Sequence, residues 1–421
     1  MLSETKIKKA YNFLVFSALI MYILFLAVKN SFTAEITTIM DFFAIDKPTA
    51  SMTTTYYFFT YGITQIFLFF FISKFNLKWF LTTTLSISAI LMFVVGFCTN
   101  IVQIYIIYAI SGIMQAGLWA GIIAVLSLYL PKKLIAGANK ILSIGMPVAG
   151  GLSYGVSAIF NSFGNWSGPF IIMGALVFVA VWVFYLAIIN VQKVYRYDLS
   201  SASENTIVES KEKEIELFDL STKLKKILFY LTSFALSFLS TSIYFAILNW
   251  IPSLMVDIYE MSNSVSTLIT TIVPLSIIAG PIIVINYCEK YKNLMLVAAV
   301  FFAMSIIFVL YMVFFYSFNL IASLVILIIL LNIVHGARSI FSSIMAFKIR
   351  NQVNSGGYAA IANAFASLGA SFAPTIIGAI IESAGWGVSY LTILIINIVL
   401  VALLILFGMW SRKHINKQKA V

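Results

Sequence analysis

Three ionisable side chains, Lys29, His335 and Arg338, lie within stretches of sequence that are otherwise almost entirely apolar. On insertion scales an ionisable group costs about 2.5–3.5 kcal/mol at the centre of a membrane-spanning helix, so such groups usually face a cavity. We expect no Asp or Glu deep within the same stretches. A cavity that holds cations without carboxylates requires a counter-charge, because an unpaired buried cation is costly. These residues therefore predict a binding site for an anion.

Each of the three cations also has a structural alternative. Lys29 either binds the anion as a point charge or extends its ammonium group to the outer lipid headgroups. His335 and Arg338 are three residues apart and therefore share one face of a helix. His335 either joins the site or forms a hydrogen bond to a neighbouring helix, and Arg338 either binds the anion or contacts helix carbonyl ends at an inner gate.

Two uncharged polar residues, Gln115 and Tyr244, complete the first group of candidate substrate-binding residues. The Tyr244 hydroxyl can donate a hydrogen bond to an anion oxygen or to a sugar-like hydroxyl. The Gln115 amide lies at membrane depth, where it either faces the cavity or joins two helices by a hydrogen bond. Both residues fit a polar site inside an apolar protein.

The elements that must position these residues are membrane-spanning helices. Of the 421 residues, 62% are hydrophobic and only 10% are charged, whereas soluble domains carry about 25% charged residues. One span needs about 20 apolar residues to cross the hydrocarbon core. This rule predicts an all-α integral membrane protein with twelve helices, at about 12–36, 50–72, 79–98, 102–130, 135–160, 168–191, 227–256, 263–288, 294–316, 320–347, 357–380 and 388–411.

The distribution of basic residues predicts the orientation of the chain and excludes a nucleic-acid partner. The net charge of +11 is divided among the short loops and is not collected on one face. Loops on one side are rich in Lys and Arg, whereas Lys47 is the only basic residue on the other side, among Glu35, Asp41, Asp46, Asp257, Glu260 and Glu382. Because cytoplasmic loops carry the basic excess, we expect a multi-pass protein of the cell (plasma or inner) membrane with both termini in the cytoplasm.

A polar segment divides the chain into two similar halves. Residues 192–226 are rich in Ser, Glu and Lys and predict a cytoplasmic linker, in which 204–226 can form short interfacial helices. This segment is either a solvated linker or has a regulatory role. The linker separates a six-helix bundle at 1–191 from a second bundle and a cytoplasmic tail at 227–421. Trp166 and Trp386 follow Gly-Asn and Ala-Gly in corresponding loops of the two halves. Two such pseudo-symmetric bundles are typical of transporters with a site at the membrane midplane.

With this organisation the chain resembles the major facilitator superfamily over essentially its whole length. Within that superfamily it is similar to the organophosphate:phosphate antiporters, which carry glycerol-3-phosphate and hexose phosphates. The resemblance rests on five short strings, Lys29-Asn30-Ser31-Phe32, Tyr61-Gly62, Asn76 with Lys78, Gly112 to Trp119, and Ile247 to Pro252. It implies that helix one lines the cavity, and it adds Asn30, Trp119, Asn249, Trp250 and Met146 as secondary candidates for the binding site.

The chain departs from that branch at the residues which would hold phosphate. The second phosphate-binding arginine of the branch, in helix seven, falls on Tyr244, and its binding-site histidine in helix five falls near Met146. The His335-Gly336-Ala337 string replaces Tyr-Gly-Pro. We therefore expect His335 and Arg338 to supply the positive charge that Tyr244 does not provide.

These observations favour a secondary active transporter of a small organic anion, phosphorylated or carboxylated, working as an antiporter or a symporter. The sequence contains no phosphate-binding loop for ATP and no group of residues with metal-ligand spacing. We therefore expect no cofactor, no enzymatic activity, a coupling ion or counter-substrate, and a monomer in the lipid bilayer. Two alternatives are a proton-coupled exporter of lipophilic or cationic compounds and a sensor that keeps the transporter fold without transporting.

Overall fold

The computed structural model describes residues 4–71, 75–198, 217–291, 293–349, 352–353 and 355–419, and in this part of the chain helices are the only regular elements. The α-helices are α1 (Glu4–Ala34), α2 (Ile36–Phe43), α3 (Lys47–Phe71), α4 (Leu77–Val95), α5 (Ile101–Gln115), α6 (Leu118–Tyr129), α7 (Lys132–Ser143), α8 (Gly145–Asn161), α9 (Gly168–Asp198), α10 (Lys223–Leu248), α11 (Ile251–Tyr259), α12 (Asn263–Thr270), α13 (Ile272–Ser276), α14 (Ala279–Lys290), α15 (Leu294–Phe315), α16 (Leu320–Ser339), α17 (Met345–Lys348) and α18 (Ser355–Lys419). A π-helical turn at Ile340–Ile344 joins α16 to α17.

Twelve passes across the membrane follow from these helices. Ten described helical segments are long and apolar enough to cross a membrane. One of them, α18, contains two passes, because its backbone leaves the helical region at Gly385, where φ is 83°. The 25-residue helix α3, rich in Thr and Tyr, provides the remaining pass. The expected all-α architecture of two six-helix bundles is confirmed.

Polar residues in the short turns determine where several passes begin. The side chains of Asn76, Asn100 and Asn319 each accept a hydrogen bond from a backbone N–H in the first turn of the following helix. The first turn of a helix contains N–H groups without intrahelical partners, and a capping side chain satisfies one of them. About half of the predicted linker at 192–226, residues 199–216, lies outside the described residues. Helix α10 begins at Lys223 after its cap, Thr222.

The two halves contact each other along two seams. Helix α3 of the first half packs on α18, and α8 packs on α12 and α13 of the second half. Since the number of passes is even, both termini lie on the same face of the protein, here called the terminal face; the opposite face is called the far face. Along the α8 seam, Gly150 lies against Pro274, and Ser264 donates a hydrogen bond to the carbonyl of Ala158.

An ion-pair cluster joins the two halves at the far face. The Lys47 ammonium lies 3.1 Å from Asp257 Oδ2 and 3.5 Å from Glu382 Oε1, so one residue of the first half binds two carboxylates of the second. Trp386 Nε1 donates a further hydrogen bond to Asp257. The only basic residue that the sequence places on this side is therefore paired, and we call these three ionised residues the far-face latch.

One acidic residue of this face is covered by its neighbours. Glu35 lies at the far-face end of α1, among the acidic residues that the sequence groups on one side, and the structure buries it completely at the turn between α1 and α2. The sequence does not indicate this burial, because Glu35 lies at the end of an apolar stretch. The position of a residue along a span does not reveal which neighbouring helices cover it.

Close contact between α14 and α16 depends on glycine. A Cβ atom on Gly280 would lie 2.0 Å from the carbonyl oxygen of Asn332, and Gly280 N–H donates to Asn332 Oδ1 at 3.1 Å. We expect Gly280→Ala to lower the apparent melting temperature in detergent by several degrees, because overpacking a tight contact costs about 1–3 kcal/mol.

The matched control for this prediction is Gly155→Ala in α8. A Cβ atom at Gly155 would have no neighbour within 4 Å, so this variant should melt at or above the wild-type temperature. Equal melting temperatures for the two variants, measured by thermal unfolding in the same detergent, would contradict the proposed close packing.

Candidate functional site

A cavity lies between the two halves, and residues from both of them line it. Its narrow part, about 80 Å³ in volume, extends toward the far face, and its larger part, about 540 Å³, lies toward the terminal face. The two parts share Leu26, Lys29, Tyr57, Phe58, Met146, Phe245 and Ala370, so they adjoin each other at these residues. Among the described residues that line it there is no Asp or Glu.

Lys29 projects from α1 into this cavity and is supported by aromatic rings of α3. Its Nζ lies 5.0 Å from the ring centroid of Phe58 and 5.6 Å from that of Tyr57. Ring faces attract cations by about 0.5–2 kcal/mol. Within the described chain, no carboxylate forms an ion pair with Lys29. The ammonium group is therefore held by weak attraction and remains without a counter-charge.

Arg338 and His335 project from α16 toward the same cavity, one helical turn apart. The guanidinium carbon of Arg338 lies 4.7 Å from the ring centroid of Tyr244 and 5.7 Å from that of Phe245. The His335 ring lies 5.1 Å from the Tyr244 ring. Neither Nη1 of Arg338 nor Nδ1 of His335 has a hydrogen-bond partner among the described residues, although both atoms are buried. At least the Nη1 nitrogen of the guanidinium group has a hydrogen-bond donor that no described residue accepts.

The two halves therefore each contribute one cation on a pair of aromatic rings. Phe58 and Phe245 meet between the halves, with their ring centroids 5.1 Å apart. Lys29 and Arg338 lie on either side of this aromatic contact and are close enough to repel each other. Two like charges in a cavity of low dielectric create a strongly positive potential, which concentrates anions.

Tyr244 and Gln115 both reach the cavity, and each has a structural contact as well. Tyr244 lines the narrow part and supports Arg338 with its ring face. Gln115 lines the larger part, accepts a hydrogen bond from the Tyr57 hydroxyl at 2.8 Å and donates one to Ser88 at 2.8 Å. The amide thus joins three helices and fixes the ring of Tyr57 beside Lys29.

Four of the five secondary candidates line the cavity, namely Asn30, Trp119, Asn249 and Met146. Asn249 also accepts a hydrogen bond from Thr33 across the two halves, at 3.2 Å. Trp250 is not among the lining residues: it is buried in the second half, and its indole N–H donates to the carbonyl of Pro374 at 2.9 Å. Its position supports a packing role.

Sequence analysis missed the aromatic supports of the two cations, Tyr57, Phe58 and Phe245. A run of four aromatic residues at 56–59 stands in the second span. That run could have drawn attention to the site, but the chain contains 21 Tyr and 37 Phe residues. Only the packing of the two halves distinguishes these three rings from the many that face lipid or the bundle interior.

Comparisons with known proteins agree on the fold. Residues 14–351 match the family described as the Major Facilitator Superfamily. The crystal structure of a bacterial homologue of the human lysosomal transporter Spinster, in an inward-facing and occupied conformation, gives a TM-score of 0.72 at 12% identity and covers 96% of this chain and 98% of that chain. The crystal structure of the nucleoside transporter NupG gives 0.68 at 16% identity, covering 94% and 98%. No curated protein sequence matches significantly.

The unpaired state of Lys29 yields a prediction about stability. Removing an unpaired ion from water costs several kcal/mol, and each of the two ring contacts of Lys29 offsets only about 0.5–2 kcal/mol of this cost. We therefore expect Lys29→Met to raise the melting temperature of the solute-free protein, as is common where a functional residue is replaced by a better-packed one.

Lys47→Met is the matched control: Lys29 is half-buried without an ion-pair partner, whereas Lys47 is buried and held by two carboxylates. Its removal leaves Asp257 and Glu382 without their partner, so this variant should melt below the wild type. A fall in melting temperature for Lys29→Met similar to that for Lys47→Met would mean that Lys29 is neutralised within the protein.

Proposed function

Because the chain belongs to the Major Facilitator Superfamily and is thus a membrane transporter, we propose that it is a secondary active transporter of a small organic anion. The observation that carries this proposal is the pair of cations, Lys29 and Arg338, in a cavity whose described lining contains no carboxylate. A negatively charged solute is the counter-charge that this arrangement lacks.

The anion binds between the two halves and drives their movement. Lys29 belongs to the first half and Arg338 to the second, and the two cations repel each other when the cavity is empty. A bound anion replaces this repulsion with attraction to both sides, so it stabilises the state in which the halves close around it. A ligand shifts a conformational equilibrium by its difference in affinity for the two states, which gives alternating access.

The chemistry of the two cations favours a carboxylated or phosphorylated metabolite. Arg338 offers a planar fork of N–H donors that matches carboxylate and phosphate oxygens, while Lys29 acts as a point charge. Resemblance to the organophosphate:phosphate antiporters points in the same direction. Tyr244 stands where that branch has its second arginine, and Arg338 stacks on the Tyr244 ring from a different helix, so it supplies charge at a comparable place.

The proposed energy source is the gradient of a coupling ion or counter-substrate. The positive-inside distribution of Lys and Arg makes the terminal face cytoplasmic, so the larger part of the cavity lies toward the cytoplasm and the far-face latch toward the exterior. The proposed transporter consists of two bundles joined by a linker. It works as a monomer in the cell membrane, with both termini in the cytoplasm.

The alternatives have less support from the cavity. An exporter of lipophilic cations requires negative charge to attract them, and the described lining offers only positive charge. A sensor without transport would bind its ligand tightly but would not move it. Uptake and dye-efflux measurements in vesicles distinguish these activities.

The central test measures anion binding and uptake with purified protein. A thermal-shift screen of phosphorylated and carboxylated metabolites should identify the solute, because a ligand of the native state raises its melting temperature. For that solute we expect Lys29→Met and Arg338→Met each to weaken binding at least tenfold, about 1.4 kcal/mol. In proteoliposomes both variants should lose most of the uptake of the radiolabelled anion.

Lys290→Met is the control for these variants, since Lys290 also lies over an aromatic ring but is exposed at the terminal face. This variant should bind and transport as the wild type does. Unchanged transport in both His335→Ala and Arg338→Ala would refute the role of α16 as the second positive pole. Efflux of cationic dyes without anion uptake would favour the exporter.

A further inference from the structure

Glu35 is a buried carboxylate that the proposed transport site does not use. It is the single residue between α1 and α2. Its N–H donates a hydrogen bond to the Ser31 carbonyl, and its own carbonyl accepts one from the Ile39 N–H. The residue is completely buried, and neither carboxylate oxygen has a hydrogen bond of normal geometry to a described residue. It is not among the residues that line the cavity.

The surroundings of Glu35 are polar but contain no cation that pairs with it. Ser157 and Asn161 of α8 face the carboxylate, and the Ser157 hydroxyl is itself buried without a partner. On the far-face parts of the elements around it the charged groups are Lys29 on α1, Asp41 on α2 and Asp257 on α11, while α8 adds the neutral Tyr154 and Tyr108 lies on α5. The other charged residues of α1 lie at its terminal-face end. Helix α12 carries no ionisable side chain, and the charged residues of α9 lie at its terminal-face end. Among the described residues no ion pair involves Glu35.

A carboxyl group in this position is far more stable as the neutral acid. Burial of an isolated carboxylate costs much more than burial of a neutral hydroxyl, and such groups bind a proton instead of remaining ionised. We propose that Glu35 is a proton-binding site, occupied while the far face is closed and emptied when that face opens.

The contacts that bury Glu35 come from both halves of the protein. Thr38 donates to Asn161 Oδ1 at 2.8 Å, Asn161 Nδ2 donates to Thr267 at 3.2 Å, and Thr267 donates to the carbonyl of Ala34 at 3.2 Å. Thr267 belongs to the second half and lies next to the turn that carries Glu35. Opening of the far face separates α12 from α8, so water reaches the carboxyl group and its ionised form becomes favourable.

The sign of the pH effect follows from this difference in proton binding. The closed far face holds one more proton than the open far face, so acid favours closure and alkali favours opening. The far-face latch predicts the opposite sign, because protonation of Asp257 or Glu382 would break their ion pairs with Lys47 and favour opening. The direction of the measured response therefore identifies which group is responsible.

The experiment measures the distance between the two halves at the far face as a function of pH. Phe163 and Phe318, which are 78% and 80% exposed in far-face turns of the first and second halves, are replaced by Cys for spin labelling. The background carries Cys98→Ala and Cys288→Ala. Pulsed electron paramagnetic resonance in liposomes then reports the distance distribution between about pH 5.5 and 8.5, above the range near 4 in which ordinary carboxyl groups titrate.

In the wild-type background the short-distance population should grow several-fold as the pH falls from 8.5 to 5.5. Glu35→Gln, which mimics the protonated acid, should show the short distance at both pH values. Glu260→Gln is the control, because Glu260 is an exposed carboxylate on the same face, and this variant should keep the wild-type response.

Three results would overturn the proposal: a wild-type distance that does not change with pH, a shift to longer distances in acid, or a Glu35→Gln variant that keeps the wild-type response. If Glu35→Gln does not fold, the wild-type pH series alone decides. The inference rests on alternating access in the proposed function and not on the identity of the solute. A protein that binds the anion but shows no pH response would refute the proton site and leave the proposed function unaffected. Loss of anion binding in Lys29→Met concerns the proposed function and does not bear on Glu35.

Discussion

The structure depends on one electrostatic constraint: two cations, one from each half, face a shared cavity without a protein counter-charge. Lys29 and Arg338 are separated by the contact between Phe58 and Phe245, and each lies over two aromatic rings. Ring faces reduce the cost of the buried charge but do not neutralise it. The two like charges therefore oppose each other across the cavity, and in the proposed function an anion interacts with both of them at once.

The rest of the fold compensates for this unfavourable centre. Along the seams between the halves, hydroxyl, amide and charged groups pair with each other, as in the far-face latch of Lys47 and the chain of hydrogen bonds from Thr38 to Ala34. Within the second half, Gly280 allows two backbones to approach closely. These polar and close-packed contacts thus lie outside the cavity, on the seams between the halves and within the second bundle.

The far face combines two kinds of acidic residue with different consequences. Asp257 and Glu382 are partly exposed and pair with Lys47, so their ionised forms hold the halves together. Glu35 is covered by both halves and has no ion-pair partner among the described residues, so its ionised form opposes closure. The same type of side chain therefore stabilises or destabilises one conformation according to its burial and its neighbours.

The sequence alone determined the all-helical membrane architecture, because apolar stretches of the right length have no other stable solution in lipid. It also identified Lys29, His335 and Arg338, since ionisable groups are rare and costly in such stretches. Only the tertiary structure decided which residues meet across the two halves: it placed Arg338 on Tyr244, removed Trp250 from the cavity and buried Glu35. Local hydrophobicity specifies that a segment spans the membrane. Which face of that helix contacts another helix hundreds of residues away in the sequence is decided by packing.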